Sequence, residues 1–103
     1  MAIYVQTTQP AALLTAFKRA IDNKTIVTWS YDNDGDFTHT PEQWRGKAWF
    51  RPSVMNNVLQ FNLIAPSSGV DWTTFGVYHG RLMESFLTHF HDALSRVSAD
   101  TAL

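Results

Sequence analysis

Residues 47–64 read KAWFRPSVMNNVLQFNLI, and this stretch decides the fold. Side chains alternate between the two faces of a strand. KAWFRPSV and VLQFNLI therefore form two strands, with Asn56 and Asn57 as the turn between them. Phe50 then falls opposite Leu63, Pro52 opposite Phe61 and Val54 opposite Leu59, all on one apolar face. On the other face Arg51 opposes Asn62, Ser53 opposes Gln60 and Trp49 opposes Ile64. A slip of one residue would mix the two sets, so the register is strongly specified. In a two-residue hairpin Pro52 takes a non-hydrogen-bonded position, and its missing N–H points away from the partner strand. The other side of the strand must be an edge there, or lack pairing.

Upstream, residues 2–6 (AIYVQ) read as a short strand. Thr7 and Thr8 followed by Pro10 signal a helix start, because proline's lost N–H does no harm in a first turn. The helix is expected over residues 9–22, with Leu13, Leu14, Phe17, Ala20 and Ile21 on one face. Residues 25–31 alternate, with Val27, Trp29 and Tyr31 on one side, and are β-branched and aromatic, which predicts a strand. Asp32-Asn33-Asp34-Gly35 is a hairpin turn, and residues 36–39 begin the returning strand. Thr40-Pro41-Glu42-Gln43 has the capping-box pattern and predicts one helical turn, released by Gly46.

Downstream, residues 65–71 form a loop. Residues 72–79 (WTTFGVYH) alternate Phe75 and Val77 against Thr74, Gly76 and Tyr78, which predicts a strand ended by Gly80. A helix is expected over residues 81–98, with Leu82, Met83, Phe86, Leu87, Phe90, Ala93, Leu94 and Val97 as its stripe. Residues 98–103 are expected to fray. The sum is a single α+β domain over residues 1–103, a two-layer sandwich. Its mostly antiparallel sheet has five to six strands in a meander-like order, with two amphipathic helices on one face.

Composition narrows the class. A chain of 103 residues fits one domain of ordinary size. With 45% hydrophobic and 17% charged residues it is neither disordered nor membrane-like. No apolar run approaches the roughly 18 residues of a membrane span, and the N-terminus lacks a secretory pattern. Zero cysteines exclude disulfides, thiol nucleophiles and zinc–thiolate sites, consistent with a cytoplasmic location. The net charge of −1 disfavours a dedicated nucleic-acid binder. An aromatic content of 14% exceeds what so small a core hides, which points to a contact surface.

The polar hairpin face is the leading candidate site. Lys47, Trp49 and Arg51 share it with Gln60 and Asn62, and Tyr78 is expected as a second aromatic anchor. Aromatic and arginine side chains are enriched at the centres of protein contacts. The expected function is a small non-enzymatic protein-binding module, homodimeric through the open sheet face or the Pro52 edge. Cations interleaved with an aromatic platform also suit single-stranded nucleic acid, which is the alternative. A third reading places a phosphate or carboxylate between His79 and Arg81 at a helix start, in a small anion binder or enzyme. Its plain competitor is an Arg81–Glu84 ion pair three residues apart.

Other motifs weaken on inspection. Asp32, Asp34 and Asp36 resemble the start of a calcium loop, but Phe37 stands where glycine is needed and Gln43 where a bidentate glutamate is needed. His89 and His91 point about 200° apart on a helix and cannot share an ion. No catalytic constellation, metal set or cofactor motif emerges, so none is assigned.

Overall fold

The 49–64 hairpin forms in the register read from its alternation, from Trp49 opposite Ile64 to Val54 opposite Leu59. Asn57 closes the turn with a φ of 60°. The computed structural model describes residues 1–102. In chain order its elements are β1 (Ala2–Gln6), α1 (Pro10–Asp22), β2 (Trp29–Tyr31), β3 (Phe37–His39), β4 (Trp49–Met55), β5 (Val58–Ile64), α2 (Trp72–Phe90) and β6 (Arg96–Asp100). A short 3₁₀ turn, His91–Ala93, joins the last two.

The strands make one open antiparallel sheet in the order β2-β3-β4-β5-β1-β6. Four consecutive strands form a meander, and the two terminal strands extend it beyond β5. The inward side carries Ile3, Val5, Phe50, Leu59 and Phe61, all fully buried. Both helices cover that side. Leu13 and Phe17 come from α1, and Tyr78, Leu82 and Phe86 from α2. Aromatic rings bind the layers: Phe17 lies 4.8 Å from Phe86 and 4.9 Å from Phe37, and Phe61 lies 5.4 Å from Phe86. This is the α+β two-layer arrangement expected, with six strands.

Pro52 sits as its chemistry requires. It opposes Phe61 on β5, while β3 pairs with β4 at Phe50 alone. No described strand therefore meets the side of β4 that lacks the Pro52 N–H. The acidic turn also forms, with Gly35 at a φ of 81° and its N–H donated to the Asp32 carbonyl at 3.0 Å.

Four segments depart from expectation. Residues 72–79 are helical, not a strand, and Gly76 and Gly80 lie inside α2. The Asp71 carboxylate caps this helix by accepting the Thr74 N–H at 2.7 Å. Behind that cap Thr74, Tyr78, Leu82 and Phe86 repeat every four residues on the buried face. The two-residue alternation competed with that helical period and lost, because the helical face has a full sheet to cover. Secondly, the helix stops at Phe90, and residues 96–100 form β6 instead of a helix or frayed tail; Leu103 lies outside the described residues. Val97 still reaches the core, opposite Val5 in the sheet.

Thirdly, only Trp29–Tyr31 of residues 25–31 is a strand. The Ile26 N–H is held by the Ala20 carbonyl at the end of α1, so Ile26 and Trp29 are buried and Val27 is 66% exposed. Lastly, residues 41–46 close the expected single turn, the Trp44 and Arg45 N–H groups donating to the Pro41 carbonyl at 2.8 and 3.0 Å, but they do so without the capping box. The Thr40 hydroxyl is turned to donate to the Val27 carbonyl at 2.6 Å, and no N–H of the turn is donated to it.

Candidate functional site

The face of the sheet opposite the helices is uncovered, and the strand registers lay it out in rows. Arg51, Asn62, Ala2 and Asp100 cross β4, β5, β1 and β6. Ser53, Gln60, Tyr4 and Ser98 form the next row. Trp49 and Ile64 close one end of the face, and Met55, Val58, Gln6 and Arg96 close the other.

Hydrogen bonds fix several of these side chains. The Gln60 amide donates to Asn62 Oδ1 at 2.8 Å. The Tyr4 hydroxyl donates to Asp100 Oδ2 at 2.6 Å, and the Ala2 N–H donates to Asp100 Oδ1 at 3.1 Å. Both bonds favour the ionised carboxylate, and the Tyr4 bond does most to hold the Asp100 carboxyl below its ordinary 3.8. Arg51 donates from Nε and Nη2 to the two Asp36 oxygens, at 3.0 and 2.8 Å.

Of the expected contact residues, Trp49, Arg51, Gln60 and Asn62 share this face. Lys47 does not. It precedes β4 and lines a cleft of about 520 Å³ with Trp44, Pro66, Asp71 and Thr74, where the Thr74 hydrogen bonds hold the Asp71 carboxyl low and the Lys47 charge adds a smaller push. Tyr78 is fully buried on α2, with its hydroxyl donated to the Trp44 carbonyl and 3.0 Å from the Thr38 hydroxyl. Its expected outward position came from reading residues 72–79 as a strand.

His79 and Arg81 are not brought together. His79 points into the protein at 4% exposure, with Nδ1 2.8 Å from the Phe75 carbonyl and its ring stacked on Phe75 at 3.9 Å. Arg81 points to the surface and pairs with Glu84 at 3.2 Å. Two residues apart on a helix, they face nearly opposite ways, and Arg81 lies mid-helix where no free N–H group supports an anion.

Arg81 and Glu84 instead border a cleft of about 300 Å³ with His39 and Ser85. Several of the polar groups within it are already engaged. Ser85 accepts the Trp29 indole N–H at 3.2 Å and donates to the Arg81 carbonyl at 3.0 Å. His39 Nδ1 lies 2.7 Å from the Thr28 carbonyl, and burial pushes this imidazole below its ordinary 6.5. The acidic turn is similar. Asp32, Asp34 and Asp36 bring their oxygens within 4.8 Å of one another. However, Asp32 accepts the N–H groups of Asp34 and Asp36, and Asp36 holds Arg51.

Two surface aromatics escaped the sequence. Tyr4 stands in the middle of the open face, which only the pairing of β1 with β5 reveals. Trp72 is 65% exposed on the first turn of α2, edge-on to Phe75 at 5.1 Å. An aspartate three residues before a threonine was the available signal for that turn. No family model, curated protein or solved structure matches this chain.

Proposed function

We propose that this chain is a small non-enzymatic protein-binding module whose contact surface is the outer face of its sheet. One observation carries this reading: both helices pack on the same side of a six-stranded sheet, so the rows holding Trp49, Arg51, Gln60, Asn62 and Tyr4 have no cover from the described chain. Half-buried Trp49 at the end of the face, with bonded amides beside it, suits a contact with an apolar anchor and a polar rim.

The same geometry disfavours single-stranded nucleic acid. Of the two cations expected to flank Trp49, Lys47 lies off the face and Arg51 is neutralised by Asp36. Phosphate neutralisation supplies most of such binding, and little is left to provide it.

The test compares proteins recovered with the wild-type chain and with Trp49→Ala or Asn62→Arg, using Arg81→Ala on the helical side as control. Partners recovered by the wild type and by Arg81→Ala are expected to be lost from both face variants. If both retain every partner, the outer face is not the contact. Quenching of tryptophan fluorescence by mixed oligonucleotides at low salt would instead favour nucleic acid.

A further inference from the structure

The sheet has two rims. One is β2, three residues long and tied to α2 by the Trp29 indole. The other is β6, five residues long, whose outer side pairs with no described strand. The register shows which backbone groups are free there. The Leu63 N–H donates to the Met1 carbonyl at 2.9 Å, and the Thr7 N–H to the Asn57 carbonyl at 3.1 Å. Odd residues of β1 therefore turn their backbone groups towards β5. Antiparallel ladders alternate, so Ala2, Tyr4 and Gln6 face β6, opposite Asp100, Ser98 and Arg96. Val97 and Ala99 are left with N–H and C=O directed outwards.

A free rim of this kind is a template for another strand unless something blocks it. Pro52 removes a donor from the unpaired part of β4, but β6 has no proline. Its charges also carry a pattern: Arg96 begins the strand and Asp100 ends it, both on the outer face. Among the described residues Arg96 has no ion-pair partner, whereas Asp100 is oriented by Tyr4, lies 3.5 Å from the amino terminus through Oδ1 and stays 39% exposed at its side chain.

We propose that β6 pairs with β6 of a second copy of this chain, antiparallel about a two-fold axis at Ser98. In that register Val97 opposes Ala99 of the other copy, and the outward groups exchange both N–H···O bonds. Symmetry repeats the pair, giving four backbone bonds. Arg96 opposes Asp100 of the other copy at non-hydrogen-bonded positions, where facing side chains approach most closely. Axes at Val97 or Ala99 would place Arg96 or Asp100 against Ser98 and lose both ion pairs. Charge complementarity thus selects the Ser98 register, and the result is one continuous sheet of two chains. The outer-face reading is independent of this seam, and either can fail with the other intact.

Sedimentation equilibrium on the full chain tests it. The wild type is expected to approach twice the 11.7 kDa chain mass as concentration rises. Ala99→Pro removes an outward donor and no bond to β1, and should raise the dissociation constant by about tenfold or more. Arg96→Glu and Asp100→Arg each put like charges across the seam and should weaken self-association. An equal mixture of those two variants restores opposite charges at every pair and should associate again. Arg81→Ala, on the helical side, should leave the constant unchanged. A wild type that stays monomeric, or a dimer that neither Ala99→Pro nor Arg96→Glu weakens, overturns the proposal. Because Asp100 also holds Tyr4, Ala99→Pro and Arg96→Glu decide the matter if Asp100→Arg does not fold.

Discussion

Arg51 holds Asp36 by two hydrogen bonds, 3.0 and 2.8 Å, across the gap where β3 leaves β4. The backbone ladder joins these strands at one pair only, Phe37 opposite Phe50. The ion pair therefore acts as a side-chain clasp that takes over where Pro52 prevents further pairing. Asp36 is 9% exposed at its side chain, so losing its partner leaves a nearly buried carboxylate with both oxygens unanswered. Arg51→Ala should lower the melting temperature and speed hydrogen exchange at Phe37 and Phe50 more than in the β1–β5 ladder. In a double-mutant cycle with Asp36→Ala the two losses should be strongly non-additive. Additive losses would show that the clasp carries no coupling.

The aromatic cluster gives a prediction with a firmer magnitude. Phe17 is fully buried on α1 and touches rings from both the sheet and the other helix, with Phe37, Phe61, Phe86 and Phe90 all within 6.4 Å. Truncation removes ring contacts to β3, β5 and α2 at once and opens a cavity that fixed strands cannot collapse to fill. Phe17→Ala should cost about 3–5 kcal/mol by urea denaturation. Val27→Ala, at a site 66% exposed, should stay within about 0.5 kcal/mol of wild type.

What the sequence made legible follows from how many periods a segment could satisfy. The hairpin from Trp49 to Ile64 fits only one, because shifting it would put Arg51 and Asn62 in the core and expose Phe50 and Phe61. Four of the residues assigned to its outer face stand there for the same reason. WTTFGVYH fits two periods, and its helical one emerges only when Thr74 and Tyr78 are followed to Leu82 and Phe86, past two glycines. Tyr78 and His79 were misplaced with it. Val97 and Leu94 contact the core as a helical stripe would, yet they do so from a strand and its approach. Pairing between the chain ends, Ala2 with Asp100, is a contact across 98 residues that no local pattern carries.

Lys24 tests the local backbone logic at the end of α1. Its φ is 65°, in the left-handed region, and its N–H donates to the Ile21 carbonyl at 3.1 Å. Glycine is the usual occupant of such a position because a Cβ meets the backbone there. Lys24→Gly should therefore raise stability by about 1 kcal/mol in urea denaturation. Lys24→Val, stiffer at its β-carbon, should lower it. A loss on Lys24→Gly would mean that the lysine side chain contributes more than its backbone angle costs.

His79 sets the response to acid. The Phe75 carbonyl can only accept, so Nδ1 carries the proton and Nε2 is a bare acceptor, buried with no partner. Rings enclose the imidazole, Phe75 at 3.9 Å and Phe50 at 5.2 Å. Burial pushes its pKa below the ordinary 6.5 against the opposing pull of the Phe75 carbonyl; the amino terminus adds to the lowering and Asp100 opposes it. Below 6.5 the unfolded chain takes up a proton that the folded chain refuses. Stability is thus complete above 6.5, falls as pH drops towards the lowered folded value, and levels off beyond it. Buried His39 is lowered as well, with Arg81 and Glu84 as its charged neighbours, so the two losses add. Asp71 and Asp100 act in a separate window, because carboxyls lowered from 3.8 give up stability only in stronger acid. Urea denaturation at about pH 7.5 and about pH 5 should show a clear drop for the wild type. His79→Leu removes the unpaired nitrogen, and should match or exceed wild-type stability at the higher pH and lose less on acidification. Equal acid losses for the wild type and His79→Leu would place the sensitivity in His39 alone.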